Sequence, residues 1–84
     1  MLPEDNDLAN DVGAVFARMQ RFDDAEQAFL SVLARDSSSA ATHRNLANLY
    51  HILEDQAGRD RHMQAYLRLV VDRDREERRR EADG

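Results

Sequence analysis

The most constraining feature of this chain is that its pattern is written twice. Val12-Gly13-x-x-Phe16 recurs as Leu46-Ala47-x-x-Tyr50, displaced by 34 residues. Gln27-Ala28-Phe29-Leu30-Ser31-Val32-Leu33 recurs as Gln64-Ala65-Tyr66-Leu67-Arg68-Leu69-Val70, displaced by 37. Periods in this range mark one supersecondary unit repeated, each copy burying its apolar face against the next. The difference between the two displacements predicts about three extra residues in the turn of the second unit.

Apolar spacing identifies the unit as a pair of helices. Leu8, Val12, Val15, Phe16 and Met19 fall on one helical face, as do Ala25, Ala28, Phe29, Val32 and Leu33. Leu46, Leu49, Tyr50 and Leu53 repeat that spacing. The pattern lapses around Gly58 and resumes at Met63, Tyr66, Leu67, Leu69 and Val70. Asp5 or Asn6 is placed to cap the first helix, and Asp36-Ser37-Ser38-Ser39 breaks the chain and supplies caps for the third. No stretch alternates with period two for long enough to form a strand. The expected organisation is an N-terminal tail at 1–5, a domain at 6–72 made of hairpins 6–36 and 40–72, and a charged helical extension at 73–84 with a frayed end. The fold class is all-α, two stacked antiparallel helical hairpins.

Size and charge narrow the function. With 84 residues there is room for one domain, and its core is small enough to need good packing or a partner. The absence of cysteine excludes disulfides and thiolate metal sites. Residues 1–42 carry three Arg against eight acids, whereas residues 43–84 carry nine of each. An acidic front half disfavours nucleic acid, because phosphate binding needs a net basic surface. The acidic start has no apolar run of the kind a signal peptide needs, and no segment approaches a membrane span. A cytoplasmic location is the resulting expectation.

On these residues the chain resembles the tetratricopeptide repeat (TPR) family. The resemblance rests on Val12-Gly13-x-x-Phe16, Phe22, Ala25-x-x-x-Phe29 and Val32 in the first hairpin, and on Leu46-Ala47-x-x-Tyr50, Tyr66 and Leu69 in the second. It covers residues 6–72 and implies an α-solenoid fragment in which Gly13, Phe16, Ala25, Phe29, Ala47, Tyr50 and Tyr66 are the structural repeat positions. There are departures. His62 is expected where Ala25 sits in the first hairpin, Ala9 and His43 stand where a large residue is usual, and Ser37 replaces the terminal proline.

The resemblance further implies a concave groove that holds a peptide. Its candidate residues are Arg44, Asn45, Asn48 and His51 in the second hairpin and Asn10 and Arg18 in the first, with Ala14, Ala17 and Ile52 beside them. The chemistry suits the role. An Asn amide offers both donor and acceptor to a peptide backbone, and Arg44 can fork onto a carboxylate. The competing reading is that this stripe is the solvated face of an amphipathic helix. His43 and His51 are eight residues apart on one helix, too far to share a metal, so no metal site or cofactor is expected. No nucleophile–base set or phosphate loop is identifiable, so an enzyme is not expected. The segment from residue 72 onward holds five Arg and six acids, and the favourable Asp74–Arg78 and Glu76–Arg80 order suits a solvated helix covering the last hairpin.

The expected function is a non-enzymatic protein-protein interaction scaffold that takes a peptide or protein partner, with no small-molecule substrate, nucleic acid or membrane. The alternative is a self-assembly module, because two repeats fall short of the three or so that a solenoid usually needs.

Overall fold

The computed structural model describes residues 5–83, so Gly84 and all of the expected N-terminal tail except Asp5 lie outside the described residues. Those residues are all-helical: α1 (Asn6–Arg18), α2 (Phe22–Arg35), α3 (Ala40–Ile52) and α4 (Gln56–Asp83), with no strand among them. Each start and stop has a local cause. The Asp5 carboxylate accepts from the Leu8 amide at 3.1 Å and caps α1. Ser39 caps α3 by accepting from the Thr42 amide at 3.4 Å, while its hydroxyl also bonds the Thr42 hydroxyl at 2.7 Å. Asp36 organises the turn between α2 and α3, its Oδ1 accepting from the amide and hydroxyl of Ser38 at 3.1 and 2.7 Å.

The turns after α1 and α3 are the same structure. Past α1, Gln20 N–H donates to Ala17 O at 3.0 Å and Arg21 N–H to Phe16 O at 2.8 Å. Past α3, Glu54 N–H donates to His51 O at 3.1 Å and Asp55 N–H to Tyr50 O at 2.8 Å. Both are Schellman closures, with the residue after the cap in the left-handed region: Gln20 and Glu54 each have φ 60°. Every atom pair in the second turn lies 34 residues after its counterpart in the first.

This corrects the expected three-residue insertion. Three residues separate α1 from α2, and three separate α3 from α4. The 37-residue displacement arises within α4, whose apolar motif sits three positions further along the helix than the one in α2. The apparent lapse at Gly58 is likewise no break, since α4 already begins at Gln56 and Gly58 is buried in its first turn. Asp55 caps that turn, accepting from Gly58 N–H at 3.0 Å. Counted from the turns, His62 corresponds to Ala28 and not to Ala25, whose counterpart is Arg59.

Each helix packs on its neighbours in sequence, and α1 also touches α3. The core is built from Ala25, Phe29, Leu46, Leu49 and Tyr50, with Phe16, Ala17, Phe22 and Leu33 packed around it. Gly13 permits the approach of α1 to α2: a Cβ there would lie 2.5 Å from Phe29 Cε1. Of the residues expected at structural repeat positions, Gly13, Ala25, Phe29, Ala47 and Tyr50 are buried, and Phe16 and Tyr66 are half-buried.

α4 has 28 residues against the 13 of α3, and from Val70 to Ala82 every residue is exposed. The charged extension is therefore helical as expected, but it covers nothing and runs on as a continuation of α4. Its Arg78 Nε pairs with Asp74 Oδ2 at 3.2 Å, an exposed i,i+4 pair worth a few tenths of a kcal/mol, about 0.3–0.5. No helix among the described residues is long and apolar enough to cross a membrane.

Candidate functional site

The surface formed by α1 and α3 begins with a polar clasp at its N-terminal end. Asn10 on α1 has its Oδ1 3.0 Å from the donating Thr42 hydroxyl and 3.4 Å from the Asn45 amide nitrogen, both on α3. Thr42 is fully buried and Asn10 is 9% exposed. A buried amide or hydroxyl is costly unless paired, and here each satisfies the other, so the clasp fixes how α3 lies on α1. Asn10 is thus committed to holding the two helices together, which removes it from the expected set of groove residues.

Beyond the clasp lies an open cleft of about 160 Å³ lined by Ala14 and Ala17 of α1, Phe29 of α2, and Asn45, Asn48, Leu49 and Ile52 of α3. Alanines on α1 leave room between the helices, Phe29 and Leu49 form an apolar floor, and two carboxamides stand at the wall. Such a cleft can seat a small apolar side chain while the amides bond a polypeptide backbone.

The remaining expected groove residues are placed differently. Arg44 and His51 lie on the exposed surface of α3 and do not line this cleft. His51 instead helps to line a larger, more polar depression of about 360 Å³ with Tyr50, Glu54, Asp55, Gln56 and Arg59, at the α3–α4 turn. Arg18 is exposed in the last turn of α1. Among the described residues no group of three or more His, Asp or Glu side chains is placed to hold a metal ion.

Sequence reasoning missed a second polar assembly, a row of three rings. His62 of α4 stacks on His43 at 5.3 Å between centroids and on Tyr50 at 5.5 Å. The Tyr50 hydroxyl donates to Glu26 Oε2 of α2 at 2.8 Å, tying α3 to α2. Burial, reinforced by that bond and by the Glu26 charge, pushes the Tyr50 phenol up to about 12. Burial also lowers the pKa of His62, and the neighbouring His43 and Arg61 lower it further. The row was hidden because His43 and His62 stand 19 residues apart on different helices. The one legible signal was a bulky His at a position whose counterpart, Ala28, is small.

No family model, curated protein or solved structure matches this chain.

Proposed function

We propose that this chain is a non-enzymatic protein-interaction scaffold, built as two stacked TPR-like hairpins, that takes an extended peptide in the cleft between α1 and α3. The observation that carries the reading is the pairing of Asn45 and Asn48 with an apolar floor of Phe29 and Leu49 in one open cleft. Carboxamides serve a backbone of any sequence, and a small apolar pocket takes one anchoring side chain. Two things support the repeat reading: the identical turns 34 residues apart, and the burial of the repeat positions Gly13, Ala25, Phe29, Ala47 and Tyr50. Arg44 stands one turn before Asn48 on the same exposed face, where it would meet an acidic side chain or a carboxyl terminus at the rim.

The test is selection of peptides from a random-sequence library on the immobilised chain, followed by amide chemical-shift mapping. Shifts should concentrate at Ala14, Ala17, Asn45, Asn48 and Ile52. Asn48→Ala should weaken binding about tenfold, and Arg44→Ala should weaken peptides that carry an acid, both with helicity unchanged. Binding that maps elsewhere, or that ignores Asn48→Ala, would reject the cleft.

A further inference from the structure

The interface between the two halves of the chain has an exposed counterpart on either side of the described residues. In that interface α3 lies on α2 and α1, and the turns relate the two halves by a shift of 34 residues. Applying the shift once more places the α1 of a second chain on the α3 and α4 of the first. The residues of α3 that enter the existing interface then have counterparts on α1: Leu8 for Thr42, Asp11 for Asn45, Val12 for Leu46 and Val15 for Leu49.

Exposure follows this relation. Leu49 is 1% exposed beneath α2, whereas its counterpart Val15 is 44% exposed and Leu8 is 52% exposed. On the opposite side, Leu33 of α2 is packed against the core, whereas its counterpart Leu67 of α4 is 52% exposed, continued by exposed Val70 and Val71. An apolar face at each end is therefore open where the same face inside the chain is closed.

One half of the polar clasp carries over, the Asn10–Asn45 contact, whereas the Asn10–Thr42 bond does not, because the counterpart of Thr42 is Leu8. Asn10 is covered by α3 and bonds Asn45. Its counterpart Arg44 is exposed, and the counterpart of Asn45 is the exposed Asp11. An Asn–Asn contact within the chain thus becomes an Arg–Asp contact between chains. The first turns of α1 bring Asp5, Asp7 and Asp11, whereas the part of α4 past Leu67 is balanced, six Arg against six acids, so the charge complementarity is local and rests on Asp11 and Arg44. Opposed charge sets register and suppresses other pairings.

We infer that the chain assembles head to tail with further copies of itself, the α1 face of one copy seated on the α3–α4 face of the next, with Asp11 meeting Arg44. Because the two faces differ, the contact is heterologous and generates a chain or ring of copies, not a closed two-fold dimer. Two hydroxyl bonds are not reproduced, since the counterpart of Tyr50 is Phe16 and that of Thr42 is Leu8. The assembly does not depend on peptide binding in the cleft; Arg44 serves at the rim in both readings, but Val15 and Leu67 do not line the cleft, so their variants separate the two.

The experiment measures the mass of the full chain by light scattering at concentrations up to about 1 mM, where even a weak contact is populated. The mass should climb past that of a dimer of the 9.7 kDa chain. Val15→Asp and Leu67→Asp should each remain monomeric, and an equimolar mixture of the two should form a one-to-one pair, because each keeps the face the other has lost. Should Val15→Asp fail to show native circular dichroism, Asp11→Arg blocks the same face. Asp11→Arg should weaken association about tenfold, and adding Arg44→Asp should restore it. A wild-type chain that stays monomeric would assign both faces to a partner of other chemistry and overturn the inference. Variants that stay apart when mixed, or a single variant that still dimerises, would overturn it equally.

Discussion

His43 and His62 share a hydrogen bond between their Nδ1 atoms, 3.0 Å apart, and this couples the tautomers of the two rings. His43 Nε2 lies 2.8 Å from the Ser37 carbonyl, which only accepts, so Nε2 carries a hydrogen. With His43 neutral its Nδ1 is an acceptor, and His62 must donate from Nδ1. Two added protons would set an N–H against an N–H and one positive ring against another.

Acid should therefore weaken the fold through His62. Its folded pKa is lowered from 6.5, chiefly by burial and further by His43 and Arg61. The unfolded chain then binds more protons than the folded one as pH falls through 6.5, so the stability contributed by neutral His62 is present above that pH and lost below it. The groups facing the ring are His43 and Tyr50 of α3 and Arg61 of its own helix, with no acid among the causes of the shift to offset the loss. Thermal melts at pH 7.5 and pH 5 should show a drop for the wild type and a smaller drop for His62→Phe. Equal drops in both would remove His62 as the source.

Close approach at Gly13 should make it the less replaceable of the two buried glycines. A Cβ at Gly13 would stand 2.5, 2.8 and 2.9 Å from three ring atoms of Phe29, which is itself 2% exposed and enclosed by the core. Alanine gains about 1 kcal/mol of helix propensity but costs about 1–3 kcal/mol in overpacking, so Gly13→Ala should lose about 1 kcal/mol net. At Gly58 the nearest atoms are the Asp55 carboxylate at 2.8 Å and the Tyr50 ring at 3.0 Å, and the carboxylate can move. Denaturant titration should find Gly58→Ala less costly than Gly13→Ala. The reverse order would contradict this account of how α1 meets α2.

The paired turns offer a stabilising substitution. Gln20 and Glu54 hold φ 60°, where a side chain is strained and glycine is not. Relief of that strain exceeds the entropy glycine loses on folding, so Gln20→Gly and Glu54→Gly should each raise stability by about 0.5 kcal/mol. Because the turns share their hydrogen bonds, the two gains should match in sign. A gain at one site and a loss at the other would show that side-chain contacts, not backbone geometry, govern them.

The helices were legible because their signals are local. Asp5 and Ser39 cap where the sequence placed caps, and the apolar spacing of α1, α2 and α3 gives their bounds closely. The second turn was misread because the eye aligns side chains, whereas a Schellman closure is made by backbone bonds that leave little mark in sequence. A glycine and a weak apolar run in the first turn of α4 then looked like a gap. The cleft was legible in part: Asn45 and Asn48 line it, but Arg44, His51 and Arg18 do not, and Asn10 is spent on the clasp with Thr42.

The sequence by itself determined four amphipathic helices, a repeated unit and an uneven distribution of charge, since periodicity, capping and composition act over a few residues. Only the tertiary structure decided that His43 faces His62, that Asn10 is buried, and that Val15 and Leu67 are left open while Leu49 and Leu33 are packed away. Those outcomes depend on which helix lies on which, and residues far apart along the chain have no local signal of their meeting.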